Sequence, residues 1–235
     1  MTDLSGKHAL ITGGAGSLGR AFAAAFATAG ARVTVLDRPG EKPLPGCGWL
    51  GIDLANLKAA EAAVAAAGPF DILVNNAAII LNRPFEDFSL EDYEEQVRVN
   101  SSAAFALVRA CAPGMKAKGA GRVINLTSLT LNGQWDGYVP YVASKGAMLG
   151  LTKGLARELG KHGITVNAIA PGAVLSEAEN RVFADRLEEY NAFVLKNQSV
   201  KSRIRPEDVA DLAVFLASDK ARMISGQNIG IDGGW

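Results

Sequence analysis

The chain has 235 residues, a length that suits one α/β domain, and nearly half of them are apolar, enough for a large core. Lys plus Arg and Asp plus Glu total 24 each, so the net charge is zero and gives no electrostatic case for nucleic acid or an acidic membrane. Cys47 and Cys111 have no motif spacing, two histidines (His8, His162) cannot build a usual zinc site, no apolar run reaches the ~18 residues of a spanning helix, and polar residues occupy the place of a secretion signal, so no metal, no membrane and a cytoplasmic location are expected.

Short β-rich apolar runs alternate with Ala-rich helical stretches. Strands are expected at 7–12, 32–37, 48–52, 71–75, 121–127, 163–169 and 227–231. Helices are expected at 17–29, 56–67, 90–117, 139–161, 177–196 and 206–217. Asp71-Ile72-Leu73-Val74 is continuously apolar after its first residue, as befits a strand covered on both faces of a parallel sheet. The alternation predicts βαβ units and a single Rossmann-like, doubly wound α/β domain spanning residues 1–235.

The first strand runs into Gly13-Gly14-Ala15-Gly16-Ser17-Leu18-Gly19 and then a helix. Glycines let a backbone approach a pyrophosphate, and a helix N-terminus offers free N–H groups and a positive dipole. The second strand ends at Asp37, 18 residues after Gly19, near the offset at which an acidic side chain meets the adenosine ribose. A carboxylate there accepts from the 2′- and 3′-hydroxyls and repels a 2′-phosphate, which favours NAD over NADP; Arg38 complicates this, since a guanidinium can receive a phosphate. At the next strand end, Asp53 and Leu54 fit the adenine amino group and ring, although Asp53 also suits the N-terminal region of the following helix. Asn75-Asn76-Ala77-Ala78 follows the fourth strand, where small residues admit a cofactor and amides can tie neighbouring strands.

Further along, Tyr141 and Lys145 share a helix face at i and i+4, and Ser128 lies thirteen residues before Tyr141. A free phenol titrates near pH ~10, and an adjacent ammonium favours the phenolate, bringing it toward the working range. With a serine hydroxyl to hold a substrate oxygen, the triple reads as proton transfer on C–OH/C=O. The polar segment 173–205 follows a strand end and has the character of a mobile lid.

These residues closely resemble the short-chain dehydrogenase/reductase family, from Lys7 to Gly234. The family's Thr-Gly-x-x-x-Gly-x-Gly stands as Thr12-Gly13-Gly14-Ala15-Gly16-Ser17-Leu18-Gly19, with Ser17 in place of a glycine; its Asn-Asn-Ala-Gly ends here in Ala78. Its Asn, Ser, Tyr and Lys match Asn100, Ser128, Tyr141 and Lys145, its Pro-Gly matches Pro171-Gly172, and its frequent Thr is Ser176. The resemblance implies a seven-stranded parallel sheet and reversible hydride transfer between a small secondary alcohol and the nicotinamide. Tyr141 would exchange the proton, Lys145 would lower the tyrosine pKa and bind the nicotinamide ribose, Ser128 would orient the substrate oxygen, and Asn100 would hold a water. The backbone near Val174 and the Ser176 hydroxyl would grip the carboxamide; Ser176 equally suits a helix N-cap.

Together these give cofactor-binding residues Gly13, Ser17, Leu18, Gly19, Asp37, Asp53, Leu54, Asn76, Ala77, Tyr141, Lys145, Val174 and Ser176. The substrate pocket is expected to draw on Ile79, Leu81, Leu129, Thr130, Asn132, Trp135, Tyr138, Ala173 and the 177–200 segment, some of which equally suit plain packing. The resemblance also implies a homotetramer through the long helices, with Trp235 either at an interface or exposed. Two alternatives stand beside the NAD-dependent dehydrogenase: an NADPH-dependent ketone or 3-oxoacyl reductase, and a non-catalytic NAD(H) sensor or scaffold.

Overall fold

Seven parallel strands form one sheet in the computed structural model, which describes residues 2–133 and 135–235. They are β1 (His8–Thr12), β2 (Arg32–Asp37), β3 (Gly48–Gly51), β4 (Ile72–Asn75), β5 (Gly121–Leu126), β6 (Ile164–Pro171) and β7 (Asn228–Ile231). Their order is β3-β2-β1-β4-β5-β6-β7, so the chain reverses its direction of travel between β1 and β4. That switch point opens a crevice at the C-terminal strand ends, where α/β folds bind ligands.

Helices cover both faces because the strands are apolar on both. Ile11, Val35 and Val74 pack with Phe22 and Phe26 of α1 (Ser17–Thr28) and Val209 and Ala213 of α8 (Pro206–Ala217). Their neighbours Leu10, Leu36 and Leu73 face the other way. They meet Val64 of α2 (Leu57–Ala67), Val108 and Met115 of α4 (Ala103–Lys118) and Leu159 of α5 (Val139–Leu159). Among the described residues no helix is long and apolar enough to cross a membrane.

Two expected helices differ in form. The 90–117 helix is present as α3 (Leu90–Val97) and α4, joined through a widened turn, Arg98–Ser102, in which the Ala103 N–H reaches back five residues to the Arg98 carbonyl. Such bulges are frequent at functional sites. The expected helix 177–196 is broken into α6 (Glu177–Val182), a tight turn at Ala184–Arg186, and α7 (Leu187–Asn197). The ring of Phe183 stacks on Tyr190 at 3.7 Å. In an unbroken helix, residues seven apart lie about 10 Å apart along the axis, so this contact requires the break.

A buried polar chain crosses the core. Asn75 Nδ2 donates to Asn125 Oδ1 (2.8 Å), Asn125 Nδ2 donates to Thr152 Oγ1 (2.9 Å), and the Thr152 hydroxyl donates to the Met148 carbonyl (2.9 Å). It joins β4, β5 and α5 and gives the Asn125 amide and the Thr152 hydroxyl the partners that buried polar groups need, while Asn75 Oδ1 has none among the described residues.

Candidate active site

The glycine turn between β1 and α1 is shaped by close approach. A Cβ at Gly19 would stand 2.1 Å from the Gly13 carbonyl oxygen, and one at Gly14 would stand 2.2 Å from a Val35 methyl. Gly13 itself has φ 68°, a conformation that glycine adopts without strain. Gly16, the residue before α1, is open on its outer side, and no side chain caps that helix end. Uncapped N–H groups behind an open glycine fit the pyrophosphate of a dinucleotide. The Ser17 hydroxyl accepts from the Glu177 N–H at 3.1 Å and keeps its own proton for a phosphate oxygen.

Asp37 closes this end of the crevice. Its Oδ2 accepts from the Ala15 N–H and its Oδ1 from the Arg38 N–H, both at 2.8 Å. A carboxylate oxygen has a second lone pair, so both remain able to receive ribose hydroxyls. The Arg38 guanidinium turns out to solvent and pairs with Glu41 at 3.1 Å. Asp53 Oδ1 accepts from the Ala55 N–H at 2.9 Å, which is the turn-capping arrangement open to it. Leu54 is buried and borders a recess with Ala77. Asn76 Nδ2 donates to the carbonyls of Thr12 and Gly13 (2.9 and 3.1 Å), and the Ala77 N–H donates to Thr12 Oγ1 (3.0 Å). The amides therefore tie β4 to β1 as the sequence suggests. Val174 forms a bridge with Ile204 that is closed by the Leu175 N–H, so its own N–H stays outside that bond. The Ser176 hydroxyl accepts from the Glu179 N–H at 3.1 Å: it caps α6, the second of its two expected roles, and retains a proton to donate.

Ser128, Tyr141, Lys145 and Asn100 come together at the ends of β5, α5 and the widened turn. The Ser128 Oγ accepts from the N–H and the hydroxyl of Thr130 (3.1 and 3.0 Å), which leaves its proton for the Tyr141 phenol. The Lys145 ammonium donates to the Leu126 carbonyl at 2.7 Å and lies 5.4 Å from the centre of the Tyr141 ring. Burial dominates both groups. The phenol is pushed up to about 12 by burial, against the pull of the Ser128 hydrogen bond, and Lys145 is pushed down to about 8 by burial. The lowering of the phenol expected from Lys145 is not seen: burial raises it, and the group that lowers it is Ser128. Asn100 is fully engaged by its side chain. Oδ1 accepts from the Ile79 N–H (2.7 Å), while Nδ2 donates to the Ile79 carbonyl (2.9 Å) and to Ser144 Oγ (3.0 Å). The side chain thus fastens the widened turn to α5 and to the chain after β4.

Beside Ser128 lies a small open recess of about 290 Å³ counting the solvent space at its mouth. Leu129, Thr130, Trp135, Tyr138 and Ala173 line it as expected. Ile79, Leu81 and Asn132 do not: the Ile79 backbone is held by Asn100, the Leu81 N–H by Gln96, and Asn132 is exposed on its turn. Pro171, Gly172 and Tyr190 complete the wall. Trp235 stacks on Trp135 within its own chain at 4.6 Å, with Phe193 beside both. Behind Ala173 and Tyr190, the Arg203 guanidinium donates to Glu179 Oε2 (2.5 Å), to the Ala173 carbonyl (3.3 Å) and to Asn191. Sequence reading missed this pair; an acid and a base 24 residues apart carry no spacing signal.

A family model described as enoyl-(acyl carrier protein) reductase matches residues 13–235. The chain is 36% identical over 244 residues to a D-xylose 1-dehydrogenase of Caulobacter vibrioides, covering 99% of this chain and 97% of the relative. It is also 36% identical to a D-threitol dehydrogenase of Mycolicibacterium smegmatis, covering 99% and 94% of the two chains. A solved gluconate 5-dehydrogenase from Burkholderia cenocepacia, in complex with NADP and tartrate, superposes with a TM-score of 0.91 at 31% identity, covering 98% and 95%. The chain belongs to the short-chain dehydrogenase/reductase family. It is an oxidoreductase of that class, using a nicotinamide dinucleotide to interconvert secondary alcohols and their carbonyls.

Proposed function

We propose that the chain is an NAD-linked dehydrogenase of a small secondary alcohol, with Tyr141 as its acid and base. The observation that carries this is the buried meeting of Ser128, Tyr141 and Lys145 beside a small cavity. Ser128 holds the substrate oxygen within reach of the phenol. Tyr141 takes the hydroxyl proton during oxidation and returns it during reduction. A nicotinamide dinucleotide held by the glycine turn, Asp37 and Lys145 would supply the hydride acceptor for oxidation and the hydride donor for reduction. Lys145, partly neutral near pH 8, passes the proton onward and holds the nicotinamide ribose. Asn100 works as a brace, and the backbone of the widened turn is where a water on the path to solvent binds.

The NAD preference rests on Asp37, whose carboxylate faces the site of the 2′-hydroxyl, while Arg38 points away toward Glu41. The NADP bound to the Burkholderia relative favours a second reading, an NADPH-linked carbonyl reductase on the same site. Association into a homotetramer through α4 and α5 belongs to the proposal. It is supported by the exposed rings and chains of Phe105 and Val139, and light scattering tests it.

Tyr141→Phe, assayed on the best alcohol from a broad panel, is expected to lose at least about a thousandfold in kcat, within the range for a positioned acid–base group. Full activity in that variant would refute the mechanism. A wild type that binds NAD(H) yet turns over nothing would favour the sensor reading. A clear preference for NADP in paired rate measurements would overturn the assignment to NAD.

A further inference from the structure

We propose that Tyr138 and Tyr190 select the substrate: their phenol hydroxyls donate hydrogen bonds to further hydroxyl oxygens of a short, uncharged polyol whose reacting oxygen rests on Ser128 and Tyr141. This rests on the alcohol–carbonyl reading above and adds the substrate class to it.

Both tyrosines line the recess beside Ser128. Tyr138 is the residue before α5, and its ring centre lies 6.1 Å from that of Tyr141. Tyr190 stands on α7, its ring held against Phe183 at 3.7 Å by the stack that requires the break between α6 and α7. Two separate elements thus bring a phenol to the same space. Neither hydroxyl has a hydrogen-bond partner among the described residues, and neither is sealed from the surface as the Trp135 indole N–H is. A charge on Tyr138 would raise both the Tyr141 and the Tyr190 phenols. Such an influence fades with distance, so the three hydroxyls are neighbours. Burial first, and then the Glu179 carboxylate, hold the two free phenols protonated: Tyr138 is pushed up to about 12, and Tyr190 is pushed up as well against the pull of Arg203. Both are therefore donors at any working pH.

The remaining hydroxyls on the lining are already engaged. Thr130 Oγ1 donates to Ser128 Oγ at 3.0 Å, and Ser128 meets the Tyr141 phenol. The two uncommitted donors then face whatever fills the recess. A substrate with a single oxygen spends that oxygen on Ser128 and Tyr141, and strips water from both phenols without replacing it, which is costly. A polyol replaces it. Lining side chains include no acid and no base, so a substrate carboxylate would be desolvated there with no positive partner. The small volume of the recess limits the substrate to a short carbon chain.

The test measures kcat and KM of wild type, Tyr138→Phe and Tyr190→Phe on three compounds with one four-carbon skeleton: threitol, butan-2-ol, which has no second hydroxyl, and the carboxylate threonate. Both substitutions keep the ring and remove only the hydroxyl, and thermal melting checks that the fold is kept. Wild type is expected to favour threitol over butan-2-ol by at least about a hundredfold in kcat/KM, because a site built to hydrogen-bond a hydroxyl rejects the analogue lacking it. Each variant is expected to lose at least about fivefold on threitol, chiefly through KM, with a loss on butan-2-ol several times smaller. Equal losses on the two alcohols would make the tyrosines packing residues and overturn the proposal, and a selective loss in only one variant would overturn it for the other tyrosine. A wild-type preference for butan-2-ol or for threonate would overturn the substrate class. Absence of turnover on every alcohol with NAD(H) still bound would instead sink the dehydrogenase reading itself.

Discussion

The indole of Trp235, the last residue, stacks on that of Trp135 with ring centres 4.6 Å apart and planes 28° from parallel. Trp135 lines the cavity and in turn lies over Gly133, where a Cβ would meet its ring at 2.1 Å. The chain end therefore supports the wall facing Ser128. A stacked aromatic pair contributes about 0.5–1.5 kcal/mol beyond its area. Removing Trp235 is expected to raise the substrate KM by roughly two- to tenfold while changing kcat little. Steady-state kinetics check this, and a fall in kcat with an unchanged KM would contradict it.

Tyr141 should give the two directions different pH profiles. Its phenol lies at about 12, so it is protonated at neutrality and ready to give its proton to a forming alkoxide. Oxidation needs the phenolate, whose fraction rises with pH. The kcat for alcohol oxidation is expected to rise at least about tenfold from pH 7 to pH 9, while carbonyl reduction holds or falls. A flat oxidation profile over that range would show that another group takes the proton.

The role proposed for Lys145 comes at a cost to stability. A fall from 10.5 to about 8 on burial corresponds to roughly 3 kcal/mol held against the charged form. Because the folded value is the lower one, the unfolded chain binds the proton more tightly. The penalty is present in full below pH 8 and disappears as pH rises toward 10.5. Lys145→Met is expected to abolish turnover yet melt at or above the wild-type temperature at pH 7. Differential scanning calorimetry decides; a marked destabilisation would mean that the bond to the Leu126 carbonyl outweighs the desolvation.

The two ends of the cofactor crevice should fail differently. Gly19→Ala places a methyl against backbone on both sides, at 2.1 Å from the Gly13 oxygen and 2.5 Å from the Gly14 Cα. The turn must deform, so both dinucleotides should bind at least about tenfold more weakly. Asp37→Ser leaves the turn a hydroxyl for the Ala15 N–H and removes the repulsion toward a 2′-phosphate. The ratio of kcat/KM for NADP over NAD is expected to rise at least about tenfold. Paired titrations with both cofactors separate the two effects.

At the opposite end of the sheet, His8 makes folding sensitive to acid. Its ring is buried against Phe70, with Nδ1 on the Pro69 carbonyl (3.0 Å) and Nε2 on the Thr34 hydroxyl (2.8 Å). Burial and then the charges of Arg32 and Lys118 lower its pKa from 6.5, while the Pro69 carbonyl and Asp71 pull it up. With the folded value below the unfolded one, the neutral ring's contribution is complete above pH 6.5 and is lost as pH falls from there through the folded value. Asp71 is itself held below its usual 3.8, so its own loss begins at lower pH. The melting temperature is expected to drop between about pH 7 and pH 5 in wild type and less in His8→Gln.

Strand positions were readable within one or two residues because continuous apolar runs leave few other options, although β6 runs on to Pro171. The gathering of Asn100, Ser128, Tyr141 and Lys145 was readable because local spacing and a helix face place three of them. What escaped the sequence depends on partners distant along the chain. Ala184-Asp185-Arg186 has no helix-breaking residue, and the break there reflects the Phe183–Tyr190 stack. Nothing near Trp135 announces that the chain end returns to it. The balance of burial over charge at Tyr141 also lay beyond reach, since spacing reveals neighbours and not how dry they are.

The Asn75–Asn125–Thr152 chain bears on how the reaction geometry is kept. Thr152 lies two helical turns beyond Lys145 and three beyond Tyr141 on the buried face of α5. Sliding α5 by one residue would move it about 1.5 Å and rotate Thr152 away from Asn125, leaving the Asn125 amide nitrogen unpaired in the core. The chain is thus a positional stop: it sets how far the phenol and the ammonium project beyond the sheet edge, and it does so from a place that neither substrate nor solvent reaches.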